Sequence, residues 1–229
     1  FHYLSFLTTP APMTLFEGIE KLAAGTWIQI KANGNLKTQR WWEAWDNIKP
    51  DLNKPDSKIA EEILSELEMA INYRKVGDVP IGVLLSGGID SSTNVALFSR
   101  GGEKDIKTFS IGYKNNQKSV ADEIPYARIV AEKIGTKHHE YILSQDDLLA
   151  FLPNMIRYQD EPIADPVCVP VYYVSKLARD SGVTVCQVGE GADELFCGYP
   201  SWKIFLNLER ANKLPIPRSL KKFGVKVLT

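Results

Sequence analysis

Ile81-Gly82-Val83-Leu84-Leu85 runs straight into Ser86-Gly87-Gly88-Ile89-Asp90-Ser91-Ser92, and the reading of this stretch decides the fold. The apolar, β-type run stops abruptly at Ser-Gly-Gly. Asp90-Ser91-Ser92 then opens a segment, Asn94-Val95-Ala96-Leu97-Phe98, that packs well as a helix. The order is strand, tight loop, helix. Two glycines let the backbone approach a ligand with no Cβ in the way, and the free N–H groups of the helix's first turn point into the same space. Such a place binds an anion, phosphate above all. Asp90 is discordant there, because a carboxylate beside bound phosphates repels them unless a divalent cation lies between. Taken alone, Asp90 reads equally as a Mg²⁺ ligand and as a helix N-cap. The glycine pair and the hydroxyls of Ser86, Ser91 and Ser92 favour the ligand.

Outward from this loop, strands and helices alternate. Upstream, Asp56-Ser57 is expected to cap a helix carrying Ile59, Ile63, Leu67, Ala70 and Ile71 on one face. Downstream, residues 106–111 read as a strand, 121–134 as a helix ended by Gly135, and 138–143 as a strand. Two helices, 153–159 and 170–179, then precede a fourth strand at 183–188. This alternation predicts an α/β fold, a parallel sheet with helices on both faces. Right-handed crossovers and the long excursion between the third and fourth strands give the order 3-2-1-4. Strands one and four then flank the topological switch point, so the loops after Leu85 and after Val188 face one crevice. The second loop is Gly189-Glu190-Gly191-Ala192-Asp193-Glu194. A glycine turn with capping acids accounts for any one of its residues. One Mg²⁺ held by Asp90 and Asp193 against a triphosphate accounts for both loops together.

The 229 residues are 44% hydrophobic and 24% charged, with net charge −1 and pI near 6.4. That balance gives no global reason to expect nucleic acid or a membrane surface. Neither a membrane-length apolar run nor a basic-then-apolar export signal is present. Cys168, Cys186 and Cys197 lack Cys-x-x-Cys spacing, which argues against zinc and a disulfide framework and for a reducing, cytoplasmic setting. The chain begins with Phe1 and is expected to be a piece of a longer one. Residues 1–45 contain a hairpin around Asn33-Gly34, 46–56 read as a linker, and 57–229 form the main domain. A lone hairpin is marginal in water and should lean on something larger, and a homodimer stays open. His138 and His139 are neighbours on a strand and point to opposite faces, so they cannot chelate one ion; one is expected in the sheet packing and one near the surface. Trp202, Phe205 and Leu208 suggest a helix packed on the core. The basic residues after Arg210 read as a solvated end. Asp160, Glu161 and Asp165 fit a substrate pocket and a solvated loop equally.

The first loop resembles the Ser-Gly-Gly-x-Asp-Ser pyrophosphate loop of the ATP pyrophosphatases. With Phe109-Ser110-Ile111-Gly112, Asp122-Glu123, Ala127, Gly135, His138-His139-Glu140 and residues 189–199, the chain resembles the synthetase domain of glutamine-dependent asparagine synthetases. The likeness runs in order over roughly residues 57–205, and residues 1–45 resemble the last strands of that family's glutaminase domain. It implies an adenine nucleotide alpha hydrolase-like fold and an AMP-forming amidotransferase using ATP and Mg²⁺. By the same likeness, Ser86, Gly87, Gly88, Ser91 and Ser92 hold phosphates, with Asp90 and Asp193 on the metal. Leu84 and Ile111 frame the adenine and ribose, Gly189 and Glu190 are cofactor-binding, and Glu190 lies close to the acyl adenylate, with Glu190 and Asp193 catalytic. The implied partners are small molecules, a carboxylate such as aspartate and glutamine-derived ammonia. The family's N-terminal glutaminase cysteine is expected to be missing here, and its catalytic lysine to lie beyond Thr229. Two departures stand out. Cys197 occupies a position where the family has glycine, and Asp165-Pro166-Val167-Cys168 replaces an Arg and a Thr-Pro-Met run of aspartate-using members. Asparagine synthesis is the first expectation; amidation of another acid such as a surface-glycan uronic acid, and a non-catalytic ATP-binding paralogue, are the alternatives. A different ATP pyrophosphatase, such as an NAD or GMP synthetase or a tRNA-modifying enzyme, is the rival within the enzyme class.

Overall fold

A computed structural model of the chain describes residues 2–46, 48–103, 105–114 and 123–213. The elements are α1 (His2–Phe6), β1 (Thr26–Ile30), β2 (Leu36–Arg40), α2 (Asp56–Tyr73), β3 (Ile81–Leu84), α3 (Ile89–Ser99) and β4 (Lys107–Tyr113). They continue as α4 (Ile124–Ile134), β5 (Lys137–Leu143), α5 (Gln145–Tyr158), α6 (Cys168–Asp180), β6 (Val185–Gln187), α7 (Ala192–Phe196) and α8 (Pro200–Lys213). The predicted helix at 121–134 is found from Ile124; Ala121, Asp122 and residues 214–229 lie outside the described residues.

Four parallel strands form one sheet in the order β5-β4-β3-β6, the predicted 3-2-1-4. Val83 and Leu85 face α3 and α4, in a cluster with Ile71, Val95, Leu97, Phe98, Ile106, Ala127 and Ala131. Leu84 and Phe109 face the other way, against Val174 and Ala178 of α6 and Val183. A strand alternates faces with period two, so a run buried on both sides reads as continuous apolar sequence. Burying each of Val83, Leu85, Val95 and Phe109 contributes about 1.5–3 kcal/mol. The two polar residues facing α4 from β4 are satisfied: Thr108 bonds the Thr136 hydroxyl at 2.8 Å and His138 Nδ1 at 2.9 Å, and Ser110 Oγ donates to the Leu85 carbonyl.

Several local expectations are corrected. The N-cap of α2 is Pro55, with no side-chain cap bond, because Asp56 and Ser57 already lie inside the first turn. α5 starts eight residues ahead of its predicted beginning, at a reciprocal cap: Asp147 N–H donates to Ser144 Oγ (3.2 Å) and Ser144 N–H to Asp147 Oδ2 (2.8 Å). Pro153 therefore sits within the helix rather than at its start. Both histidines are half-buried. His139 stacks on Phe109 with ring centroids 5.3 Å apart, while His138 turns to Thr108 on the opposite face. Helix α8 forms with Trp202 and Leu208 half-buried, but Phe205 stays 60% exposed, so only two of the three expected residues turn inward.

Antiparallel β1 and β2 pair in register from Thr26↔Arg40 to Ile30↔Leu36, and turn through Asn33-Gly34 with Gly34 at φ +81°. Among the described residues no third strand joins them. The N-terminal segment does touch the sheet domain. Ala164 N–H donates to the Leu7 carbonyl at 2.8 Å, and Glu161 accepts from Thr9 Oγ1 at 2.8 Å and pairs with Lys21. Glu161 is thus neither of the alternatives read from sequence but a tie to a segment 140 or more positions upstream.

Candidate active site

The loop after β3 is braced from within. Ser91 Oγ accepts from Ser86 N–H (3.2 Å), lies 3.0 Å from Ser86 Oγ and donates to the Gly88 carbonyl (3.2 Å), while Gly88 N–H donates to Ser86 Oγ (3.2 Å). Ser91 is buried, so its hydroxyl shapes the loop from beneath. Gly88 is the N-cap of α3, without a side-chain cap bond, which places Asp90 in the first turn rather than at the cap. The sequence alternative of a capping Asp90 is not what forms. Gly87 has φ +90°, and a Cβ there would lie 2.6 Å from Ala127 N and 2.7 Å from Tyr126 Cβ of α4. Only glycine tolerates both the left-handed backbone and that approach. α4 therefore seats the loop from behind.

The second loop reaches the first by direct contact. A Cβ on Gly189 would lie 2.9 Å from the Asp90 carbonyl oxygen and 3.1 Å from Ser91 N, so the loop after β6 lies against the start of α3. Gly191 caps α7 at φ +91°. The chain then folds back. Gly198 N–H donates to the Asp193 carbonyl at 2.9 Å, and a Cβ on Gly198 would collide with the Asp193 carboxylate. Cys197, where the family pattern has glycine, adopts φ +57°, ψ +43° at the C-cap of α7. A non-glycine residue in that conformation costs about 1–2 kcal/mol.

The result is one cavity of about 530 Å³, lined by Asp90 from the first loop and by Gly189, Glu190, Gly191, Asp193 and Glu194 from the second, with Tyr199. Tyr199 closes the stretch 189–199 that carries the resemblance, but the sequence reading gives it no role. Its hydroxyl donates to Glu194 Oε1 at 2.7 Å. That bond pushes the phenol above its ordinary value, burial and the Glu194 charge add to it, and Asp193 and Asp90 contribute further. Four carboxylates therefore gather at the end of the sheet where two loops meet. Leu84 and Ile111 are not in this cavity. They pack on the α6 side of the sheet, at and near the C-terminal ends of adjacent strands. Ser92 Oγ is buried and without a hydrogen-bond partner among the described residues.

A parallel α/β sheet with a Ser-Gly-Gly-x-Asp-Ser loop at its switch point defines an ATP pyrophosphatase-type nucleotide fold. Within that class, this chain belongs to the asparagine synthase family, whose profile matches residues 62–226. It is 34% identical over 220 residues to asparagine synthetase [glutamine-hydrolyzing] 1 of Bacillus subtilis, covering 96% of this chain and 33% of that protein. It is 37% identical over 224 residues to a putative asparagine synthetase of Mycobacterium tuberculosis, covering 96% and 34%. It is also 27% identical over 205 residues to amidase chry2 of Gibberella zeae, covering 83% and 30%. The chain thus spans about a third of the length of these relatives. A glutamine-dependent NAD+ synthetase structure from Acinetobacter baumannii overlaps at 18% identity and TM-score 0.44, over 75% of this chain and 31% of that one. So loose a superposition says nothing about activity. No described helix is long and apolar enough to cross a membrane.

Proposed function

We propose that this chain is the ATP-handling core of an AMP-forming amide ligase. The observation that supports this best is that Asp90 and Asp193, a hundred positions apart, line one cavity with Glu190. Carboxylates so arranged repel a polyphosphate unless a divalent cation intervenes. Their hard oxygens suit Mg²⁺, and among the described residues no trio of His, Cys, Asp and Glu is placed to hold a metal unaided. A cation here would take its remaining oxygens from phosphates and water, as Mg²⁺ commonly does. When bound by Asp90 and Asp193, it would neutralise charge on the departing pyrophosphate.

The chain's own groups do the rest. N–H groups of Gly87 and the first turn of α3 hold phosphate oxygens as fixed dipoles, while the bonds among Ser86, Gly88 and Ser91 keep the loop in shape. A carboxylate oxygen of the acid attacks the α-phosphorus, the bond to the bridging oxygen breaks, and pyrophosphate leaves. Ammonia then attacks the acyl carbon, the C–O bond to AMP breaks, and Glu190 takes the proton from nitrogen. Leu84 and Ile111 border the adenine from the α6 side. The names of the relatives favour aspartate as the acid and glutamine as the nitrogen source, with residues 1–45 as the tail of a glutaminase unit. A different acid is favoured by one observation: Asp165 Oδ1 accepts from Val167 N–H at 2.9 Å, so the stretch before α6 is a self-bonded turn that supplies no cation for an α-carboxylate.

Asp90→Asn and Asp193→Asn are each expected to weaken ATP binding in the presence of Mg²⁺ by about tenfold or more, and to leave binding without Mg²⁺ little changed. Calorimetric titration checks this. Unchanged affinity in both variants rules out a shared cation.

A further inference from the structure

The loop of residues 159–167, which joins α5 to α6, is fastened to the N-terminal segment. Glu161 Oε2 accepts from Thr9 Oγ1 at 2.8 Å, and its other carboxylate oxygen pairs with the Lys21 ammonium. Lys21 Nζ also donates to the Thr9 carbonyl at 2.5 Å and to Thr9 Oγ1 at 3.2 Å. Thr9 is buried, and the Glu161 side chain keeps only 16% of its surface exposed. Bonding to Lys21 first, and to Thr9 next, holds the Glu161 carboxyl below its ordinary value, so it stays ionised in this lock. Three positions on, Ala164 N–H donates to the Leu7 carbonyl at 2.8 Å. Charge-assisted bonds as sheltered as these are screened less than a surface pair.

The course of α6 places the loop. Lys107 Nζ, at the start of β4, donates at 2.6 Å to the carbonyl of Ser181, the C-cap of α6, so the helix ends at the N-terminal edge of the sheet. Its 13 residues span about 20 Å, much as the 7 residues of β4 do. The helix therefore begins level with the C-terminal ends of the strands, and Tyr173 in its second turn stacks on Tyr141 near the end of β5, with ring centroids 5.3 Å apart. The 159–167 loop thus lies at the end of the sheet where the loops after β3 and β6 meet, on the face that carries Leu84 and Ile111. We infer that Lys21 and Thr9 are positioning residues of the nucleotide site: by gripping Glu161 they hold the 159–167 loop as a rim on the adenine side, and ATP affinity depends on that grip. The inference rests on the ligase reading and adds to its site a segment outside the sheet domain. A loop released from the lock samples more conformations, and the apparent affinity falls with the fraction of time the rim is in place.

Two readouts on the whole chain test this: hydrogen exchange of the Ala164 amide, and calorimetric titration with ATP and Mg²⁺. Lys21→Met and Glu161→Ala should each speed Ala164 exchange by about tenfold and raise the Kd for ATP by about three- to tenfold. The double variant should lose little more than either single one, because a single pair is removed. Lys21→Arg, which keeps the charge and the donors, should retain most of the protection and the affinity. In the unaltered chain, ATP with Mg²⁺ should slow Ala164 exchange in turn, since coupling is reciprocal. Faster exchange with an unchanged Kd means a tie that does not reach the site, and unchanged exchange means no grip; either result overturns the inference and leaves the ligase reading standing. An unaltered chain that binds no ATP removes both.

Discussion

Glu190→Gln is expected to lower amide formation from ammonia by about 10²- to 10⁴-fold, the usual contribution of a positioned general base, while ATP affinity stays within about threefold. The carboxylate is solvent-facing and lines the cavity between the two loops. There it can reach a nitrogen attacking the acyl carbon and still return its proton to water. Because the amide isostere keeps shape and hydrogen bonding but cannot accept that proton, the loss should fall on the second half-reaction. Exchange of pyrophosphate into ATP should be much less affected. A variant that forms amide at the parental rate, or that loses ATP binding and amide formation together, contradicts this role.

Gly87→Ala should destabilise the protein by about 2–5 kcal/mol, combining left-handed backbone strain with the overlap against α4. The neighbouring Gly88→Ala is the built-in comparison. Gly88 has φ −68°, and the nearest atom to a Cβ there is Ser86 Oγ at 3.3 Å. Its substitution should cost no more than about 1 kcal/mol. Urea midpoints measured for the two variants separate the cases. Equal shifts would mean that α4 does not press on the loop as described.

Much of this architecture was legible in advance. Strand order followed from crossover handedness and the length of the excursion between the third and fourth strands, and the meeting of the two loops followed from strand order. Both are consequences of chain connectivity, which a sequence carries directly. What it hid were terms that depend on distant or subtle partners. The cap of α5 uses Ser144 and Asp147, a reciprocal pair, but Pro153 offered a louder start signal and won. At α2, Asp56 and Ser57 were read as caps although Pro55 was the residue left outside the helix. Glu161 finds Lys21 and Thr9, and no local pattern announces such a contact.

The candidate site was read in the same uneven way. Asp90, Gly189, Glu190 and Asp193 were visible as glycines and acids crowded where helices begin. Tyr199 was visible only as the end of the second motif and without a role, because its bond to Glu194 exists only after the chain folds back over Gly198. Ser91 was expected on phosphate and instead fastens the loop from below. Cys197 falls where the backbone is left-handed, a conformation that the glycine expected there from the resemblance would adopt without strain.

The central claim is that this chain divides ATP between its α and β phosphates on behalf of an acid. Incubation with ATP, Mg²⁺, labelled pyrophosphate and a panel of carboxylic acids tests it directly. The account predicts label in ATP only when an acid and Mg²⁺ are both present, and its loss on chelation of the cation. Release of ADP and inorganic phosphate, with no label entering ATP for any acid, would contradict it.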